Sequence, residues 1–141
     1  MAIDKSGYKE KAMSSALALA KFFSSEITVI HVINRPSMIA APRVPPAAVV
    51  AQRELLEVSQ READQLLDDI VLLGKGKGVK IRTQVLEGSS VQQTILDYAK
   101  AEQFDLIVIG TRGMTGITRF LIGSVATDVI ARAHCPVLAV R

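Results

Sequence analysis

Apolar positions along the 141-residue chain fall into two alternating rhythms. "ITVIHVI" (Ile27 to Ile33), "DLIVIG" (Asp105 to Gly110) and "PVLAV" (Pro136 to Val140) are short, β-branched and nearly continuous, the pattern of strands buried on both faces of a parallel sheet. "VKIRTQVLE" (Val79 to Glu87) differs, because Val79, Ile81, Thr83 and Val85 alternate with Lys80, Arg82 and Gln84. That alternation predicts an edge strand. Between these runs the spacing turns helical. Ala12, Ala16, Leu19 or Ala20 and Phe23 form one stripe, with Ser6 as its N-cap. Leu56, Ala63, Leu66, Leu67, Ile70 and Val71 form a second, ended by "GKGKG"; Val91, Ile95, Tyr98 and Ala99 form a third, and Val125, Val129 and Ile130 a fourth. Alternating strands and helices predict an α/β fold, an open parallel sheet with right-handed crossovers and helices on both faces.

The stretch Asn34 to Val50 carries four of the five prolines and reads as a long surface loop until about Ala47, either a lid over a ligand or an ordinary connection. Length and a 49% hydrophobic content fit one domain over residues 1–141. Aromatic residues make up only 4%, so stacking platforms for single-stranded nucleic acid are not expected. The 17 basic and 14 acidic residues are interspersed, which argues against a stripe that binds duplex nucleic acid. Apolar runs fall short of the roughly 20 residues of a membrane span. A single cysteine, Cys135, suits a reducing compartment, so the expectation is a cytoplasmic protein.

The chemistry concentrates in "GTRGMTGITRFLIGSVATDVI", Gly110 to Ile130, directly after an apolar strand. Open parallel sheets bind ligands beyond the carboxyl ends of their strands. Gly110 and Gly113 admit close backbone approach and positive φ. Ser124 is the expected N-cap of the helix that follows, whose free N–H groups suit an anion, phosphate above all. Arg112 and Arg119 stand by to offset its charge. Spacing alone leaves a purely structural turn open, since neither the Walker A nor the dinucleotide glycine pattern is present. His31 reads as a core or rim residue, and His134 and Cys135 as turn residues before Pro136.

Gly110, Gly113, Gly123 and Ser124 stand in a G-x2-G-x9-G-S pattern, followed by "VATDVIARAHCPVLAVR" and preceded near the start by "AIDKSGYKEKAMSSALALAK". In these features the chain resembles the universal stress protein family, in its ATP-binding branch. The resemblance implies a single open parallel five-stranded sheet in the order 3-2-1-4-5. It also implies that Ala2 and Asp4 border the nucleoside and Val32 contacts adenine. Ile109, Gly110, Arg112 and Gly113 would line ribose and phosphates, and Gly123, Ser124 and Val125 would hold the phosphate chain through backbone N–H groups and the Ser hydroxyl. A carboxylate such as Asp4 also suits ribose hydroxyls on chemical grounds; a helix-start acid is its plainer reading. Bound triphosphate would recruit Mg2+ through its own oxygens and water.

The chain departs from the family pattern at the start. Only Met1, Ala2 and Ile3 precede Asp4, where the family carries a full central strand, so either the start lies upstream or the first strand is short. Lys5 also replaces a common Gly. The leading functional expectation is an ATP-binding regulatory or stress-response protein with slow or no turnover, a homodimer through the apolar C-terminal strand. An ATP-using enzyme (hydrolysis or adenylyl transfer) and a nucleotide-free dimeric interaction module are the alternatives.

Overall fold

The computed structural model describes residues 1–6, 9–35, 45–111 and 122–141. Its elements run α1 (Lys9–Phe22), β1 (Ile27–Asn34), α2 (Pro46–Gly74), β2 (Ile81–Gly88), α3 (Val91–Ala101), β3 (Ile107–Gly110), α4 (Ser124–Arg132) and β4 (Val137–Val140). Strands and helices alternate as the two periodicities require. Among the described residues no helix is long and apolar enough to cross a membrane.

The four strands form two parallel pairs, β1 with β2 and β3 with β4. The expected first strand is reduced to one residue: Ala2 is bridged in parallel to Ile30 of β1 and to Ile109 of β3. Three residues before Asp4 are enough to hydrogen-bond to both pairs and too few to build a ladder. The Ala2 N–H donates to the Val108 carbonyl (2.9 Å), the Ile3 N–H to the Ile30 carbonyl (3.0 Å), and the Ile30 N–H to the Met1 carbonyl (2.8 Å). The structure shows an α/β fold with two parallel strand pairs, joined at Ala2 by single bridges.

The pleat sends alternate residues to opposite faces, and each face carries its own core. Ile27, Val29 and Val108 pack with Ala12, Met13, Ala16 and Ala20 of α1 and with Leu66, Leu67 and Ile70 of α2. Ile30, Val32, Ile107 and Ile109 pack on the other side with Ile95, Leu96 and Ala99 of α3 and with Ala126 and Val129 of α4. Full burial of each Val, Leu, Ile or Met among them stabilises the fold by about 1.5–3 kcal/mol. In β2, Ile81 and Val85 turn to the α1/α2 core while Arg82 and Gln84 are exposed, as an edge strand demands.

Helix boundaries follow local chemistry. Pro46 opens α2 at a position where its missing N–H has no intrahelical partner. Gly74 closes α2 against β2: a Cβ there would stand 2.0 Å from Ile81 Cδ1, and Gly76 and Gly78 then turn the chain at positive φ. At α3 the Ser90 side chain accepts a hydrogen bond from the Gln93 N–H (3.4 Å), an N-cap. One expectation for α1 is corrected. Phe23 is not in its apolar stripe but 67% exposed, because the helix stops at Phe22 and Ser24 takes φ of +52°. Ser6 lies ahead of Lys9, the first described helical residue, and the residues that would adjoin the helix start, 7–8, lie outside the described ones.

A polypeptide that begins at Met1 places its terminal amine beneath the strands, donating to the Thr28 carbonyl (2.6 Å), and burial pushes that amine down from 8.0 to about 5. The folded state then binds fewer protons than the unfolded one between those values, so stability rises with pH across that window. At roughly 1.36 kcal/mol per pH unit the full effect is about 4 kcal/mol. Thermal denaturation of the 141-residue chain is expected to show a higher Tm at pH 8 than at pH 6. Apolar residues added before Met1 turn the amine into a peptide N–H able to pair with the neighbouring strands, and should raise Tm and flatten the profile. A flat profile in the original chain would refute the burial of the amine.

Candidate functional site

Where the Met1–Ile3 stub ends, the two strand pairs part, and a cavity of about 520 Å³ opens at the carboxyl ends of β1 and β3. This is the position at which open α/β sheets take ligands. Asp4 follows the stub directly. Its Oδ1 accepts a hydrogen bond from the Ser6 N–H (2.9 Å), a local turn that fixes the carboxylate. One residue earlier, the Ile3 carbonyl meets His31 Nδ1 at 3.0 Å. A carbonyl only accepts, so Nδ1 carries the proton, and the His31 ring pins the backbone that presents Asp4. His31 is thus a half-buried rim residue with a structural partner.

The opposite end of the cavity is the start of α4. Gly123 is its N-cap, in extended conformation (φ −62°, ψ 151°), and Ser124 is the first helical residue. This corrects Ser124 as the cap. It also changes the donor set, because the Gly123 N–H is already given to the Thr111 carbonyl (2.8 Å) and cannot also hold phosphate. The first intrahelical bond runs from the Thr127 N–H to the Gly123 carbonyl (2.9 Å), so helix geometry leaves the N–H groups of Ser124, Val125 and Ala126 without intrahelical acceptors. Those three orphans and the positive end of the helix dipole make this an anion-binding end.

Of the residues singled out from the sequence, Ala2, Asp4, Val32, Ile109, Gly110, Gly123, Ser124 and Val125 all line this one cavity. Arg112 and Gly113, together with Arg119, lie outside the described residues, as do 36–44 of the proline-rich loop. Val32 and Ile109 are buried apolar walls supplied by strand ends, suited to a planar base or a sugar face. The structure adds residues that pattern reading missed. Val91 and Ile95 of α3 extend the apolar wall, and Lys9 of α1 lines the other side, its Nζ 3.6 Å from Asp69. Their apolar or helical spacing marked them, if at all, as core or surface; only the fold turns them toward the cavity. Thr111 also lines it, 6% exposed, its Oγ1 without a hydrogen-bond partner among the described residues. Cys135 sits in a bend before Pro136, and burial pushes its thiol up, away from reactivity.

Comparison with known proteins gives a consistent picture. The family model described as the universal stress protein family matches residues 1–141. A universal stress protein of Methanocaldococcus jannaschii is 36% identical over 138 residues, covering 98% of this chain and 78% of that one. Universal stress protein YxiE of Bacillus subtilis is 31% identical, covering 100% and 96%. Among solved structures, a universal stress protein from Lactobacillus plantarum superposes with a TM-score of 0.83 at 25% identity, over 99% of this chain and 94% of that one. A universal stress protein from Archaeoglobus fulgidus in complex with dAMP superposes at 0.67, also at 25% identity, over 99% and 94%.

The turn at Asp4 yields a stability prediction that needs no ligand. Asp4→Ala removes the acceptor of the Ser6 N–H and should lower stability by about 1 kcal/mol, whereas Asp4→Asn keeps a carbonyl acceptor in place and should retain most of it. Urea denaturation of the three chains checks this; equal midpoints would show that the turn contributes nothing.

Proposed function

The chain belongs to the universal stress protein family, and on that premise we propose that it is a cytoplasmic regulatory protein that binds an adenine nucleotide, ATP first, in the cavity beyond β1 and β3. The observation that carries this reading is the convergence of an apolar wall, a fixed carboxylate and a helix start with three orphan N–H groups around one space of about 520 Å³. In this reading Val32 faces the base, Ala2 and Asp4 border the nucleoside with Asp4 accepting from ribose hydroxyls, and Ile109, Gly110, Arg112 and Gly113 line ribose and phosphates. The N–H groups of Ser124, Val125 and Ala126 and the Ser124 hydroxyl take the phosphate oxygens. The dAMP complex of the Archaeoglobus fulgidus relative supports an adenine nucleotide as the ligand class. We count Met1–Ile3 as the first strand of the order 3-2-1-4-5.

Asp4 is the one carboxylate among the described cavity residues, and it is engaged by Ser6. Mg2+ therefore fits as a guest of the triphosphate oxygens and water, and slow or no turnover of the nucleotide is part of the same proposal. Equilibrium binding to nucleotide-free protein should rank ATP above a non-adenine triphosphate, with AMP also bound. Gly123→Val has allowed backbone angles, yet its branched side chain intrudes where phosphate meets the helix. It should fold normally and weaken ATP by about tenfold or more, roughly 1.4 kcal/mol. Unchanged affinity in the folded variant would overturn the proposed phosphate position.

We also propose a homodimer through β4. The edge of β4 away from β3 is apolar, and among the described residues no strand pairs with it. The register sets the test. The Ile107 N–H donates to the Pro136 carbonyl (3.0 Å) and the Thr111 N–H to the Val140 carbonyl (2.8 Å), with Val108 opposite Leu138. In a parallel ladder of this register Leu138 turns its N–H and carbonyl inward to β3, while Val137 and Ala139 turn theirs outward. Proline at Leu138 would break the fold's own ladder, so Ala139→Pro is the informative variant. Sedimentation should show a wild-type dimer and a monomeric Ala139→Pro chain that still binds ATP. A wild-type monomer at micromolar concentration would contradict the proposal.

A further inference from the structure

Thr111 stands at the junction of the cavity, β4 and α4, and two of its three polar groups are committed. Its N–H donates to the Val140 carbonyl and its carbonyl accepts from the Gly123 N–H, both at 2.8 Å. The third, the hydroxyl, is buried and has no partner among the described residues, in a side chain that is 6% exposed. Native proteins seldom leave a buried hydroxyl unpaired, because the lost hydration is not returned. A position that does so is one where a partner arrives from outside. With the backbone fixed on both sides, rotation about χ1 is the freedom left to Thr111, and it exchanges the places of the hydroxyl and the methyl group.

We propose that the Thr111 hydroxyl is a phosphate ligand of the cavity, turning to donate to a nucleotide phosphate oxygen; this assignment rests on the nucleotide reading above. The Gly123 bond anchors Thr111 immediately ahead of the orphan N–H groups of Ser124, Val125 and Ala126, so the hydroxyl joins a set made wholly of donors. Ionised phosphate oxygens supply only acceptors, and a threonine hydroxyl is able to donate to them. The base and sugar contacts assigned above involve other side chains. Loss of the hydroxyl must therefore be felt by phosphorylated ligands and not by the bare nucleoside.

Thr111→Val keeps the shape and deletes the hydroxyl. The free variant should melt at the same temperature as wild type or higher, since an unpaired buried group has been removed. Its affinity for ATP and for AMP should fall roughly tenfold or more, while its affinity for adenosine stays within about twofold; Thr111→Ser, which retains the hydroxyl, should hold ATP within about threefold. Unchanged ATP affinity in Thr111→Val, or an equal loss for adenosine, overturns the assignment. Should the valine variant fail to fold, NMR of the wild-type Thr111 methyl group decides: ATP is expected to change its χ1-dependent couplings and adenosine to leave them alone, and constancy with both overturns it. A wild-type chain that binds none of the three ligands refutes the nucleotide reading, and this assignment with it.

Discussion

The hydrogen bonds made by Met1, Ala2 and Ile3 hold the two halves of the fold together. Ala2 donates to Val108, Ile3 to Ile30, and Ile30 returns a bond to Met1, so a three-residue stub joins the β1–β2 pair to the β3–β4 pair. Both pairs are then covered together, by α1 and α2 on one face and by α3 and α4 on the other. The stub's early end is equally consequential. Beyond Ile3 the cavity begins between the ends of β1 and β3, with Asp4 in its lining.

The cavity's two ends are chemically unlike because they are built by different backbone states. Near Asp4, a turn and the His31 ring fix a single acceptor. At α4, an extended glycine gives its own N–H to the strand end and leaves the next three N–H groups to whatever occupies the cavity. A ligand with hydroxyls at one end and negative charge at the other matches that division, and a nucleoside phosphate is such a molecule. The Thr111 backbone joins the α4 end to β4, so the phosphate end and the strand proposed to pair two copies share one residue.

Much of this was legible in the sequence because it depends on periodicity. The β-branched runs became β1, β3 and β4, the alternating Val79 to Val85 became an outward-facing edge, and the glycine-rich stretch lies against the cavity at both of its described ends. What escaped depends on partners distant along the chain. The apolar spacing of α1 continues through Phe23, but the backbone turns left-handed at Ser24 and releases the ring to solvent. Ser124 has the better capping side chain, yet Gly123 takes the cap because its N–H finds the Thr111 carbonyl, a contact that spacing does not encode. The orphaned Thr111 hydroxyl and the inward-facing Leu138 N–H likewise follow from register and burial, which exist only once strands have paired.

The most direct test of the central claim is backbone NMR of the wild-type chain titrated with ATP and, separately, with adenosine. Backbone N–H groups that acquire phosphate oxygens as acceptors move downfield. If the cavity binds the nucleotide with its phosphates at α4, the amides of Ser124, Val125 and Ala126 shift downfield with ATP and not with adenosine, while the Gly123 amide, held by Thr111, moves least. Saturable ATP binding that leaves those three amides unmoved, or shifts confined to another part of the molecule, would contradict the account.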